Sequence, residues 1–189
     1  GIGQVLFHAT PLLFTGVAVD MALRAGLFNI GAEGQLAVAS LAAGATGASL
    51  PDGTPGVIAV PLVLAVAAIA GAAWAFVPAL LKTRFGAHEV ISTIMMNRIA
   101  DAGVALALGL GLAAKGTVHT HPLAKGAVLP RLDRFVAAFN GSAASVALVI
   151  ALAVVAIVFF AHGRTRFGRE ISQIGQNPAA CGAAGIPVT

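Results

Sequence analysis

The sequence predicts an all-α protein, a polytopic bundle of transmembrane helices. Hydrophobic residues make up 58% of the chain and charged residues only 10%, whereas soluble domains carry roughly 25% charged residues. Several apolar runs approach the roughly 20 residues that a helix needs to cross a bilayer. About five spans are expected, at approximately residues 5–24, 34–50, 57–81, 88–113 and 143–162.

The links between these spans predict their orientation. A tight turn rich in Pro and Gly covers residues 51–56, a short link covers 82–87, and only residues 115–142 are long enough for an exposed loop of their own. Basic residues are in excess in cytoplasmic links, and the excess here favours a cytoplasmic location for residues 163–189. The residues counted on that side are Arg24, Lys82, Arg84, Arg164, Arg166 and Arg169, against Lys115, Lys125, Arg131 and Arg134 on the other.

The first residue would then lie outside. Because the sequence has no initiator Met or signal peptide, we interpret residues 1–189 as one partial transmembrane domain from a longer protein. Within the third span, Ala68, Gly71, Ala72 and Ala75 predict close packing against a neighbouring helix.

Residues 163–189 predict two short helices. Phe167, Ile171 and Ile174 recur at i, i+4 and i+7, which is typical of an amphipathic helix, and Gly175 is expected to interrupt it. Asn177 followed by Pro178 predicts the start of a second helix, with Gly185 as its stop. Such a pair could offer one side to a partner, or simply link one span to the next.

A first polar cluster, Phe28–Gln35, lies at the junction of the first two spans. Gly31 and Gly34 should loosen a helix there, and the polar residues Asn29, Glu33 and Gln35 need water or a partner. A broken helix of this kind exposes backbone groups to solute in transporters. The alternative is a cytoplasmic loop whose polar residues meet water.

A second polar cluster occupies the start of the fourth span. Glu89, Thr93, Asn97 and Asp101 are each four residues apart, so they form a stripe on one helix face. The stripe should face the bundle or a water-filled path. Alternatively, Arg98 pairs with Asp101 or Asp20 and only holds helices together.

Several function classes find no support. The net charge of +4 is spread over short links with no basic patch that would suit nucleic acid. Cys181 is the only cysteine, and His119 and His121 have no third metal ligand nearby. The chain has no Walker A motif, no G-x-S-x-G and no H-E-x-x-H, so we expect it not to be an enzyme.

Three motifs together resemble one family. FNIGAEGQ (Phe28–Gln35), FGAHEVISTIMMN (Phe85–Asn97) and FGREISQIGQNPAACGAAGI (Phe167–Ile186) resemble, in order and spacing, permease subunits of bacterial ABC importers. The resemblance is strongest to the branch that serves simple sugars and nucleosides and works with binding proteins of the basic membrane protein type. It covers essentially the whole chain, and family members are considerably longer.

The resemblance implies a multi-pass subunit of the bacterial cytoplasmic membrane that moves nucleosides or simple sugars inward by alternating access. It implies a second permease subunit, an extracytoplasmic substrate-binding protein, and ATPase subunits that hold ATP and Mg²⁺, with no cofactor on this chain. The residues expected to contact the ATPase are Phe167, Arg169, Glu170, Gln173, Asn177 and Pro178. The residues expected at the translocation path or its gate are Asn29, Glu33, Gln35, Glu89, Thr93 and Asn97.

The alternative function is an ion- or proton-coupled secondary transporter. In that case Glu33, Glu89 and Asp101 would carry the coupling ion. No ATPase would then be needed, and the pattern in residues 163–189 would be accidental.

Overall fold

The computed structural model describes residues 2–114, 117, 120–134 and 143–185, and these residues form helices and connecting segments without a β-strand. Seven α-helices occur in the described residues, and we number them in chain order. They are α1 (Ile2–Arg24), α2 (Ala32–Ser49), α3 (Gly56–Phe85), α4 (Glu89–Ala107), α5 (Ala147–Arg164), α6 (Arg166–Gln176) and α7 (Pro178–Ala183).

Four helices of the described residues are long and apolar enough to cross a membrane: Ile2–Arg24, Gly56–Phe85, Glu89–Leu112 and Ala147–Arg164. The third of these joins α4 to a π-helical segment, Leu108–Leu112. The predicted second span does form a helix, α2, but it is not among the four. The all-α polytopic class is therefore confirmed, with four span-length helices where the sequence predicted about five.

The chain divides into two compact units, which we describe separately. The terminal unit comprises residues 1–29 and 130–189, and the central unit comprises residues 30–129. In the terminal unit, α1 packs along α5, and α6 packs against both of them. In the central unit, α2 packs against both α3 and α4.

Small residues bring α2 and α3 together, as predicted for the third span. A methyl group added at Gly71 would lie 3.5 Å from Ala39 Cβ and 3.7 Å from the carbonyl oxygen of Gln35. Gly71 therefore sits at the contact, where the absence of a side chain lets the two backbones approach.

The short links are close to their predicted positions. In the 51–56 turn, the Thr54 amide donates to the Pro51 carbonyl at 2.9 Å. The next link is shorter than predicted, because α3 continues through Lys82 to Phe85 and only residues 86–88 connect it to α4. Gly86 ends α3 in the left-handed conformation (φ 64°), which glycine adopts without strain.

The long loop is not wholly exposed, which corrects the sequence prediction. Its described segment at Leu123–Ala127 packs on the C-terminal end of α2: the Ala124 amide donates to the Gly47 carbonyl at 2.9 Å, and Ala124 is 3% exposed. Gly47 has no room for a side chain beside Leu123, since an added Cβ would lie 2.8 Å from Leu123 Cδ2. Lys115, His119 and residues 135–142 of this loop lie outside the described residues.

Candidate functional site

The six residues expected to contact an ATPase lie on α6 and at the start of α7, and we call them together the α6–α7 surface. All of them are exposed to solvent: Phe167, Arg169, Glu170, Gln173, Asn177 and Pro178. The ion pairs found among the described residues are Asp20–Arg24, Lys82–Glu89 and Arg98–Asp101. Arg169 and Glu170 are therefore not used for ion pairing within the described part of the chain.

The sequence predicts that Phe167, Ile171 and Ile174 form the inner face of α6, but Phe167 does not belong to it. Ile171 and Ile174 are half-buried as expected, but Phe167 is 65% exposed. The reason is Gly168, which is buried with its Cα directly against the backbone of His162. The face of α6 that contacts the rest of the terminal unit therefore begins at Gly168, and Phe167 lies outside it.

Gly175 does not interrupt the helix, as the sequence suggested, because α6 continues through it to Gln176. It is instead the point where α6 meets the end of α1. A side chain at Gly175 would collide with the Arg24 carbonyl oxygen, and it would lie 2.7 Å from the Gly26 amide nitrogen. Glycine is required here because two backbones touch.

The predicted start of the second helix is confirmed. Asn177 is the N-cap of α7, and its Oδ1 accepts a hydrogen bond from the Ala180 amide at 3.0 Å. Pro178 occupies the first turn, where its missing N–H is not needed. Gly185 follows the helix in the left-handed conformation (φ 79°), as expected of a stop signal.

Sequence reasoning missed one contact that holds α6 to α5. His162, in the last turn of α5, has its Nε2 2.9 Å from Ser172 Oγ on the inner face of α6. Thr165 at the turn between the helices caps α6 by accepting from the Gly168 amide at 3.2 Å. No local sequence pattern around His162 or Ser172 predicts that these two side chains meet.

In the central unit, the two polar clusters meet at Asn97. The Asn97 side chain donates from Nδ2 to the Ile30 carbonyl at 3.0 Å and accepts at Oδ1 from the Gly34 amide at 2.9 Å. Gly31, the N-cap residue of α2, supplies no side-chain cap. Asn97 thus caps α2 from another helix and satisfies an amide that the first turn leaves without a partner.

The stretch Phe28–Gln35 consists of a non-helical link followed by the first turn of α2, and it is not a broken helix. Residues 27–30 are non-helical, and α2 begins at Ala32. Gly34 lies inside α2, where it permits contact with α4: an added Cβ would be 2.8 Å from Asn97 Oδ1 and 3.2 Å from Ala100 Cβ. The glycine is needed for close packing rather than for flexibility.

The other residues expected at the path have different surroundings. Thr93 is 3% exposed, and its hydroxyl donates to the Glu89 carbonyl at 2.8 Å. Glu89 is half-buried and accepts from Lys82 Nζ at 2.6 Å. Glu33 is exposed, whereas Asn29 in the terminal unit and Gln35 in the central unit are half-buried.

The proposed structural ion pair on α4 is weak. Arg98 Nη1 and Asp101 Oδ2 are 3.7 Å apart, and both side chains are exposed. Asp20 pairs with Arg24 of its own helix at 2.8 Å. For metals, the described residues contain no group of three His, Cys, Asp or Glu that could hold an ion.

Comparisons with known proteins agree on one family. The family described as "branched-chain amino acid transport system / permease component" matches residues 1–189. The chain is 36% identical to the guanosine ABC transporter permease protein NupP of Bacillus subtilis, over 99% of this chain and 53% of that protein. It is 33% identical to the glucose ABC transporter permease protein TsgB13 of Haloferax volcanii, over 98% of this chain and 50% of that protein.

A third relative, the nucleoside ABC transporter permease protein NupB of Lactococcus lactis subsp. cremoris, is 29% identical over 98% of this chain and 52% of its own length. The chain thus spans about half the length of the curated relatives it matches. No solved structure matches the chain. With its four span-length helices and a family match along its entire length, the chain belongs to the family of transport-system permease components.

Proposed function

We propose that the chain is part of the membrane-spanning permease subunit of an ATP-driven ABC importer that moves nucleosides or simple sugars inward. The family match and the relatives support this proposal, since the three named relatives are ABC transporter permease proteins for guanosine, glucose and nucleosides. Permease components are not themselves enzymes. In this proposal, ATP and Mg²⁺ are bound and ATP is hydrolysed by partner ATPase subunits.

The α6–α7 surface is the observation that carries the proposal. Its inner side is held by backbone contact at Gly175 and by the His162–Ser172 pair, so α6 has a defined position. Phe167, Arg169 and Glu170 are all exposed. An exposed aromatic ring, together with charged side chains that form no ion pair within the described part of the chain, is typical of a binding surface with an apolar anchor and a polar rim.

The proposed mechanism is alternating access. Closure of the ATPase subunits would displace α6, and the contact at Gly175 would pass this displacement to the end of α1. In alternating access the helices have two packings, and a bound partner stabilises one of them over the other.

Roles in the path follow from the observed surroundings. Thr93 and Asn97 are buried, so we assign them the role of holding α4 against α2 as these helices move. Asn29, Glu33, Gln35 and Glu89 are the candidates for groups that line the path or its gate.

The proposal includes a complete assembly in the bacterial cytoplasmic membrane. It requires a second permease subunit, identical or homologous, and a substrate-binding protein on the outer side. The α6–α7 surface then faces the cytoplasm, which agrees with the excess of basic residues in the links on that side.

The test is co-purification of the full-length protein with the ATPase encoded beside it. We compare wild type with the double variant Arg169→Glu, Glu170→Arg, which keeps the net charge and reverses its arrangement. The matched control is Lys125→Glu, an exposed charge reversal in a loop predicted on the opposite side.

We expect the double variant to lose the ATPase and the control to retain it, with both proteins folded by circular dichroism. Retention of the ATPase by the double variant would place docking elsewhere. A wild-type protein that binds no ATPase would refute the importer function itself.

A further inference from the structure

Two charged side chains stand exposed in the middle of α4. The buried stripe of this helix consists of Thr93, Met96, Asn97 and Ala100, and the charged pair lies outside it. The side chains of Arg98 and Asp101 are 82% and 52% exposed.

Their depth in the span makes this exposure informative. Asp101 lies about 18 Å along the helix axis from Glu89, at a rise of about 1.5 Å per residue, near the centre of the span Glu89–Leu112. Charged groups at that depth are costly against lipid and almost always face a water-filled space or another protein segment. This face of α4 therefore turns away from lipid.

A cavity lies beside Asp101. Its volume is about 510 Å³, and its walls include Ala37, Asp101, Val104, Leu108, Gly109 and Thr117. Sites for small molecules commonly measure about 300–1,000 Å³ and combine apolar walls with a few polar groups. The cavity has this composition, with one carboxylate among mostly apolar side chains.

The helix changes form at the same place. The α-helix ends at Ala107 and continues as the π-helical turn Leu108–Leu112, in which Gly111 has φ 119°. Isolated π-helical turns are frequent at functional sites. Two residues of this turn, Leu108 and Gly109, line the cavity.

The Asp101 carboxylate is suited to accept hydrogen bonds from a ligand. Its distance to Arg98, 3.7 Å, is too long for a hydrogen bond. An ionised carboxylate has two oxygens and accepts two donors at once. Two neighbouring hydroxyl groups on a ring present that pair of donors, while the C–H face of the ring can pack on Val104 and Leu108.

We propose that this cavity binds the hydroxylated ring of the solute and that Asp101 accepts hydrogen bonds from two adjacent hydroxyl groups. The inference rests on the proposed function and deepens it, since guanosine, other nucleosides and glucose, named for the relatives, share such a ring. It assigns a solute contact to Asp101 in addition to the path residues expected from the sequence.

The first test measures access and occupancy without transport. In full-length protein in which Cys181 and any cysteine outside residues 1–189 are replaced by Ala, the variant Ala105→Cys is treated with a charged thiol reagent, with and without guanosine or glucose. Ala105 is an exposed residue in the wall of the cavity, and this variant keeps Asp101. The control is Met96→Cys, because Met96 is 8% exposed on the buried stripe. We expect position 105 to react at least about tenfold faster than position 96 and one of the two solutes to slow its reaction.

Protection by guanosine alone identifies a nucleoside site, and protection by glucose alone identifies a sugar site. An unreactive cysteine at position 105 would overturn the inference, because that face would then be covered by lipid or by a second subunit. Reaction that neither solute slows would overturn it as well, because Asp101 is intact in this variant.

The second test addresses the hydroxyl groups through uptake by the full-length protein with its partner subunits. Asp101→Asn should lower the ratio of guanosine to 2′,3′-dideoxyguanosine uptake by about tenfold, because hydrogen bonds to a charged acceptor are stronger than those to a neutral one. For a sugar site, glucose and 2-deoxyglucose replace this pair. The control Asp52→Asn removes the same charge from an exposed turn.

An unchanged ratio in Asp101→Asn would overturn the inference. A reduced ratio with the ATPase still bound would support it, since a merely structural defect would slow both solutes alike. If wild type takes up none of these solutes while the cysteine at position 105 is protected by one of them, the import function would be refuted and the binding site supported.

Discussion

Replacement of Asn97 tests the contact between the two polar clusters. The alanine variant removes the hydrogen bonds to the Ile30 carbonyl (3.0 Å) and the Gly34 amide (2.9 Å) and leaves both groups without a partner. Asn97 is 8% exposed, so water has little access to replace it. Each unsatisfied buried group costs about 1–3 kcal/mol, and we expect Asn97→Ala to lower the unfolding free energy by about 2–4 kcal/mol.

The assay is unfolding of the full-length protein in mixed micelles with increasing sodium dodecyl sulfate, followed by circular dichroism. Ser92→Ala is the matched control, because the Ser92 hydroxyl donates only within its own helix, to the His88 carbonyl at 2.9 Å. The control should change the unfolding free energy by less than about 0.5 kcal/mol. Equal values for the two variants would refute the assignment of Asn97 as the cap of α2.

A double-mutant cycle sharpens the same test. Gly34→Ala places a methyl group 2.8 Å from Asn97 Oδ1, and overpacking of this kind costs about 1–3 kcal/mol. In the Asn97→Ala background that oxygen is absent, so the two effects should fall short of additivity by about 1 kcal/mol. Strict additivity would mean that the two residues do not touch.

Three further predictions concern other contacts. Gly175→Ala should lower the unfolding free energy by about 1–3 kcal/mol and speed tryptic cleavage within α6, because a side chain there collides with the end of α1; an unchanged cleavage rate would contradict the contact. Asn177→Ala should cost about 1 kcal/mol and raise amide exchange in α7, whereas Asn177→Asp, which keeps an acceptor, should not. Lys82→Ala should change the unfolding free energy by no more than about 1 kcal/mol, because the side chains of its ion pair with Glu89 are 40% and 19% exposed, and a larger loss would indicate a buried role.

The sequence predicted the elements whose causes are local. Long apolar runs specified the spans, and the pair Asn177–Pro178 specified the start of α7, because capping involves groups only a few residues apart. The three motifs in order identified the family, which the match along residues 1–189 confirms. The pattern in residues 163–189 also predicted two short helices, which the structure has at Arg166–Gln176 and Pro178–Ala183.

Only the tertiary structure decided what the glycines and Asn97 do. The local sequence predicts helix breaks at Gly34 and Gly175, yet both residues lie inside helices at points where another backbone approaches. The sequence predicts that Asn97 lines a path, yet its side chain hydrogen-bonds to groups 63 and 67 residues away, at the start of α2. Helix formation depends on neighbours within one turn, whereas close packing depends on residues distant in the chain, so the sequence alone determined the helices and the tertiary structure decided their contacts.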